Sequence, residues 1–260
     1  MNLKNIRFLT ALIISSVAAE AGTLRVAAYN VEFGRSATPE QIGALFKEYN
    51  LDIITLNEVP NGKWTQRVGD VLGMKFCFVG KSSSANHKNK YKSILSKTPL
   101  TNTGEIQLNG SGWGPSSVVK AQTVVEGKSF SIYSLHIPGS GHIKGVAPNA
   151  GTKAHGLAHL LGEDVSDNII TMGDYNSRKE QAPLKAMINA GFLFTWSDLG
   201  IDVSRLFTWN ALSPTQNSGV IDHILYKFKN KETKATKGGI IELDKALSDH
   251  KPVWAEFTFK

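Results

Sequence analysis

Residues able to bind metal or transfer protons recur in this 260-residue chain at the ends of short apolar runs. Asn30 closes the run 24–29, Glu58 follows 51–56, and His136 follows 130–135. Asp174 and Asn176 follow 168–172, and Asp222 follows Val220-Ile221. Asp249 and His250 directly precede an alternating run at 253–259. Carboxylates and amides are hard oxygen donors, the set suited to magnesium, with manganese or calcium as alternatives. Zinc is served less well, because no thiolate accompanies them. Two histidines among carboxylates suit acid–base chemistry, since a neighbouring carboxylate favours the imidazolium and lets it deliver a proton near neutral pH.

The elements that must position these groups can be read from the pattern. Runs such as Ile53-Ile54-Thr55-Leu56 and Ile169-Ile170-Thr171-Met172 are apolar on both faces, as inner strands of layered α/β proteins are. A helix is predicted to start at Thr38, with Pro39 at its first position, Gln41 completing a capping box, and Ile42, Leu45, Phe46 and Tyr49 on one face. Two more are predicted at 152–162 and 180–190, the latter stopped by Gly191. No internal repeat or linker divides the chain. Polar groups at the strand ends are therefore expected to gather along one rim of a rigid sheet.

Seven segments carry a resemblance. Tyr29-Asn30, Asn57-Glu58, Ile94-Leu95-Ser96-Lys97-Thr98-Pro99-Leu100, Leu135-His136, Gly173-Asp174-Tyr175-Asn176, Ile221-Asp222-His223-Ile224 and Ser248-Asp249-His250-Lys251-Pro252-Val253 occur in a fixed order. It is the order found in the endonuclease/exonuclease/phosphatase superfamily, which includes deoxyribonuclease I and exonuclease III; the chain resembles it from Leu24 to its end. The resemblance implies an α/β fold, a four-layer sandwich of two packed mixed β-sheets flanked by helices. It also implies a magnesium-dependent phosphoesterase. Glu58 would be the main metal ligand, helped by Asn30 and Asp249. Asp174 and Asn176 would orient or deprotonate the attacking water, His136 oriented by Asp222 would form the acid pair, and His250 would bind the scissile phosphate. Tyr175 replaces the family's usual phenylalanine, and His223 stands where a tyrosine is frequent, with its role open.

Other features are less specific. His155 and His159 lie one helical turn apart, but Gly156 occupies the position of the glutamate that a zinc-peptidase motif requires. His87, Lys88, Lys90 and Lys92 form a basic stretch suited to a phosphate backbone or to a solvated loop. Lys227, Lys229, Lys231, Lys234 and Lys237 form a second, read as solvated loop. Trp113, flanked by glycines, and Trp209 are candidates to stack on substrate together with a contact from Lys92, core packing being the ordinary reading of Trp209.

The bounds agree with an exported enzyme. Lys4 and Arg7 precede an apolar stretch at 8–19 and the pattern Ala19-Glu20-Ala21, which reads as a cleavable signal over residues 1–21 ahead of one domain at 22–260. That stretch is shorter than the roughly 20 apolar residues of a spanning helix. The expected location is periplasmic or extracellular. A lone cysteine, Cys77, excludes an internal disulfide framework and reads as apolar filler. Formal net charge is +7, and losing Lys4, Arg7 and Glu20 leaves +6. A basic surface attracts polyanions. Nucleic acid is the expected substrate of a monomeric nuclease. A phospholipase C or sphingomyelinase-type enzyme on phospholipid headgroups, an inositol-phosphate phosphatase and a toxin subunit are the alternatives.

Overall fold

The computed structural model describes residues 22–108, 116–138, 150–215 and 218–259. Residues 1–21, the expected signal, and Trp113 lie outside the described residues. The strands are β1 (Gly22–Asn30), β2 (Ile53–Val59), β3 (Phe76–Val79), β4 (Tyr91–Ser96), β5 (Thr101–Gln107), β6 (Ser117–Val125), β7 (Lys128–His136), β8 (Asn168–Asp174), β9 (Leu193–Phe194), β10 (Asp222–Phe228), β11 (Ala235–Ile240) and β12 (Val253–Phe259). The helices are α1 (Pro39–Phe46), α2 (Gly62–Leu72), α3 (Ala150–Gly162), α4 (Ala182–Asn189) and the single turn α5 (Thr195–Asp198).

The strands form two six-stranded sheets, ordered β11-β12-β1-β2-β4-β3 and β5-β6-β7-β8-β10-β9. Each has one parallel pair at its centre, β1 with β2 and β7 with β8, and antiparallel neighbours outside it. The sheets pack face to face. Leu24, Val26, Ala28 and Ile53 of the first share a core with Ile132, Ile170, Met172 and Ile224 of the second. A second core lies on the first sheet's other face, where Ala27, Tyr29, Ile54 and Leu56 meet Ile42 and Phe46 of α1 and Val68 of α2. Helices α3 and α4 pack together and join the second sheet's core through Leu157, Leu161, Leu184 and Met187. The result is the expected sandwich of two mixed sheets flanked by helices.

Thr38 caps α1 as its sequence requires. Its hydroxyl accepts from the Gln41 N–H, and the Gln41 side chain returns the bond to the Thr38 N–H at 2.9 Å. Helix α2 was not picked out by the sequence pattern; Asn61 caps it by accepting from the Trp64 N–H at 3.0 Å. Helix α4 begins at Ala182 rather than residue 180, with Pro183 in its first turn. Among the described residues no helix is long and apolar enough to cross a membrane.

Candidate active site

Period-two alternation decides which side chains leave the first sheet toward the second. Leu24, Val26 and Ala28 face the inter-sheet core, so Asn30, on the same parity, faces it too. Asn57 follows Ile53 in the same way. The parallel register sets Asn30 beside Asn57, and in the second sheet His136 beside Asp174. Asp222 starts β10 directly opposite Asp174. Four strand ends therefore deliver their polar residues to one rim, and β10 and the segment before β12 supply the rest.

The amides bind the two sheets together there. Asn30 Nδ2 donates to Asp174 Oδ2 at 3.1 Å. Asn57 Oδ1 accepts from the Asp174 N–H at 2.9 Å, while its Nδ2 donates to Ser134 Oγ at 3.4 Å. This approach requires glycine before Asp174. Gly173 has φ +137°, and a Cβ there would collide with the Leu135 carbonyl and stand 2.7 Å from Asn57 Oδ1. Local sequence assigns Asn57 no role. A buried amide at a strand end next to an acid was its only signal.

Glu58 reaches the rim by a different device. The β2–β4 register shifts between Asn57 and Val59, and Glu58 adopts a left-handed backbone with φ +56°. This bulge interrupts the alternation that would have turned Glu58 toward the outer helices. Its Oε1 lies 3.8 Å from His136 Nε2, and its Oε2 lies 2.8 Å from Lys90 Nζ. The apolar run ends at Leu56, but the strand itself continues through the bulge to Val59.

The proton-active groups form a connected buried chain. His136 Nε2 is 3.4 Å from Asp174 Oδ2, and His250 Nε2 is 3.7 Å from the same oxygen. His250 Nδ1 lies 2.8 Å from Asp222 Oδ2. This corrects the expected His136–Asp222 pair: Asp222 orients His250. The reason is topological, because β10 enters the rim on the side away from β7, where the segment ahead of β12 arrives. That segment is fixed by Ser248 Oγ, which donates to the Asn30 carbonyl at 2.7 Å and accepts from the His250 N–H at 3.2 Å. Asp249 stays one-third exposed, 4.0 Å from His250 Nε2. The Asn176 N–H donates to Asp174 Oδ1 at 2.7 Å, and Asn176 Nδ2 donates to the Ile137 carbonyl at 3.0 Å.

Burial and like charge set the protonation tendencies. Burial raises Asp174, and the Asp222 carboxylate raises it further against the opposing pull of His250. For His250, burial alone would lower the pKa, yet Asp222, Asp174 and Asp249 together raise it well above the ordinary histidine range. The acids around it thus favour the charged form of His250.

His223 belongs to a different category. Its Nδ1 accepts from Trp196 Nε1–H at 3.0 Å, and its Nε2–H donates to the Ser177 carbonyl at 2.9 Å. Both nitrogens are used, and burial drives the pKa down to about 4. His223 is a neutral strut that anchors the loop after Asp174. Tyr175 is likewise buried, with its hydroxyl 3.1 Å from Thr171 Oγ1.

The expected substrate contacts divide. Lys92 does not face substrate: it is fully buried, its ammonium donates to the Ser82 carbonyl at 3.1 Å and Ser84 Oγ at 3.3 Å, and burial lowers its pKa to about 8. It lies directly across the sheet from Asn57, where alternation turns it inward. Trp209 is not core. It is 37% exposed and forms an isolated β-bridge with His250. His159 pairs with Glu163 at 3.2 Å on an exposed helix face, and burial raises the Cys77 thiol to about 11, as suits filler.

The residues fit a divalent cation by donor chemistry. Glu58, Asn30, Asp174 and Asp249 supply hard oxygens around one rim, and Asp222 Oδ1 is buried with no hydrogen-bond partner among the described residues. Asp174, Asp222 and His250 also offer ligand atoms within 4.8 Å of one another.

Two interlocked sheets with this acid, amide and imidazole rim define a phosphoesterase. A model of the Endonuclease/Exonuclease/phosphatase family matches residues 27–250, and the chain belongs to that family of metal-dependent phosphoesterases. Among curated proteins none matches the chain significantly. Solved structures share its fold. An endonuclease/exonuclease/phosphatase from Beutenbergia cavernae superposes with a TM-score of 0.71 at 16% identity, covering 92% of this chain and 72% of that one. D. rerio TDP2 complexed with single strand DNA product gives 0.67 at 14%, covering 90% and 98%. A Bacteroides thetaiotaomicron mannosyl-6-phosphatase gives 0.67 at 18%, covering 91% and 100%.

Proposed function

We propose that the chain is an exported, magnesium-dependent phosphodiesterase that hydrolyses nucleic acid by in-line attack of water. One observation carries this reading: Glu58, His136, Asp174, His250 and Asp222 form one unbroken chain of contacts along a single rim, each link 3.8 Å or less. Glu58, with Asn30 and Asp249, would hold the cation, which when bound neutralises the phosphate and steadies the developing charge. Asp174, raised in pKa and fixed by Asn30 and the Asn176 N–H, is placed to accept the proton of the attacking water. His250, kept charged by Asp222, donates to a phosphoryl oxygen. His136 delivers a proton to the leaving oxygen. General acid–base help of this kind is worth roughly 10² to 10⁴ in rate.

Nucleic acid is favoured by the net charge of +6 left once residues 1–21 are removed and by the 37% exposed Trp209 bridged to His250, a surface on which a base can stack. The single strand DNA product complexed with TDP2 supports the same substrate class. The mannosyl-6-phosphatase supports the second reading, a phosphatase on the same rim. Export rests on the composition of residues 1–21. Purified protein should be incubated with supercoiled plasmid, RNA, sphingomyelin and inositol phosphates, with magnesium or with a chelator. Nicked or degraded nucleic acid in the magnesium arm alone is expected. Turnover confined to lipid or inositol phosphates would overturn the nuclease reading.

A further inference from the structure

Glu58, the carboxylate assigned above to the metal, already carries a cation. Lys90 Nζ lies 2.8 Å from Glu58 Oε2, with only 9% of the Glu58 side chain and 20% of the Lys90 side chain exposed. Exposed pairs of long side chains are loosely held. This one is built in. The Lys90 N–H donates to Ser83 Oγ at 3.0 Å, and its carbonyl accepts from the Ser84 N–H at 2.9 Å. The loop they belong to is folded around the buried Lys92 ammonium. It is also tied to β5, where Glu105 receives the Lys81 N–H at 2.7 Å and the Ser82 N–H at 3.1 Å. From the other side, the Phe33 ring lies 5.3 Å from Lys90 Nζ, in the turn Glu32–Gly34 that follows Asn30. The bulge that aims Glu58 at the rim stands opposite the start of β4, next to Lys90.

We propose that Lys90 is a tethered counter-ion that a divalent metal displaces from Glu58, and that the released ammonium then binds the substrate phosphate. The inference rests on the reading of Glu58 as a metal-holding residue. Its logic is competition. A mostly buried carboxylate is costly to leave unpaired, so Lys90 satisfies it until a stronger cation arrives. Metal and ammonium repel each other at such separations, and Lys90 must find another anion. The phosphate reaching the same rim is that anion. Metal and phosphate then bind cooperatively, since each favours the state in which the Glu58–Lys90 pair is broken, and linkage makes the effect reciprocal.

The test measures manganese binding to the full chain, by the resonance of free manganese, with and without dimethyl phosphate. Wild type is compared with Lys90→Met, Lys90→Gln, Lys90→Arg and Glu58→Gln, and thermal unfolding checks each fold. Without phosphate, Lys90→Met and Lys90→Gln are expected to bind manganese about tenfold more tightly than wild type. They should also lose the tightening that dimethyl phosphate gives the wild type, and Lys90→Arg should retain it. Glu58→Gln should bind manganese weakly in both conditions. Wild-type affinity in both neutral variants, with Glu58→Gln weak, overturns the Lys90 proposal and leaves the Glu58 assignment standing. Wild-type affinity in Glu58→Gln overturns that assignment and the inference together.

Discussion

The two sheets are built on the same plan and use it for opposite ends. Each centres on a parallel pair that brings two polar residues into register at its carboxyl end, Asn30 with Asn57 and His136 with Asp174. The first sheet contributes neutral amides there, then breaks its own ladder at Glu58 to add one charge paired to Lys90. The second keeps the β7–β8 and β8–β10 ladders regular and gathers the titratable His136, Asp174 and Asp222, which His250 joins from across the rim. On the function proposed above, one half orients and holds a cation, and the other half moves protons. Identical topology therefore does not fix chemistry; the residue types at four strand ends and one bulge do.

The comparison breaks most sharply if the proton-moving half is disabled. Asp174→Ala, His136→Ala and His250→Ala are each expected to lower kcat by about 10³-fold or more while circular dichroism stays native. Full activity in any of them would remove that residue from the mechanism. The junction between the halves should be next in effect. Gly173→Ala meets both a left-handed backbone and the Leu135 carbonyl, and should cost about 3 kcal/mol in urea unfolding. A stability equal to wild type would show that the sheets can part at the rim without penalty.

A pH experiment sharpens the contrast between histidines of the second sheet. His223 is neutral when folded, with its pKa lowered from 6.5 to about 4. Between those values the unfolded chain binds a proton that the folded chain refuses. Stability is thus fully present above pH 6.5 and is lost as pH falls toward 4, by about 3 kcal/mol. In His223→Gln this part of the pH slope should vanish from urea-unfolding curves; an unchanged slope would assign it to other groups.

Smaller effects test the orienting half. Asn57→Ala leaves the buried Asp174 N–H without its acceptor and should cost about 1–3 kcal/mol. That loss should be separable from catalysis by comparing midpoints with turnover on material that is still folded. Trp209→Ala, at the edge, should raise KM for a single-stranded oligonucleotide about fivefold, with kcat and stability unchanged. An unaltered KM would mean that the exposed indole does not meet substrate.

Local sequence determined the strands that carry the rim residues, the cap of α1 and the position of acids, amides and imidazoles at strand ends, because alternation and capping depend on neighbours only a few residues away. The ordered motifs carried the family and its sandwich fold. Local pattern could not settle what the sheets do to one another. That Asp222 serves His250 rather than His136 depends on β10 and the segment before β12 arriving on the same side, a matter of strand order across 28 residues of chain. The burial of Lys92 depends on which face of β4 looks inward, and the aim of Glu58 on a bulge that defeats the alternation. Partner choice, burial and aim are long-range properties, set only when the two sheets close on each other.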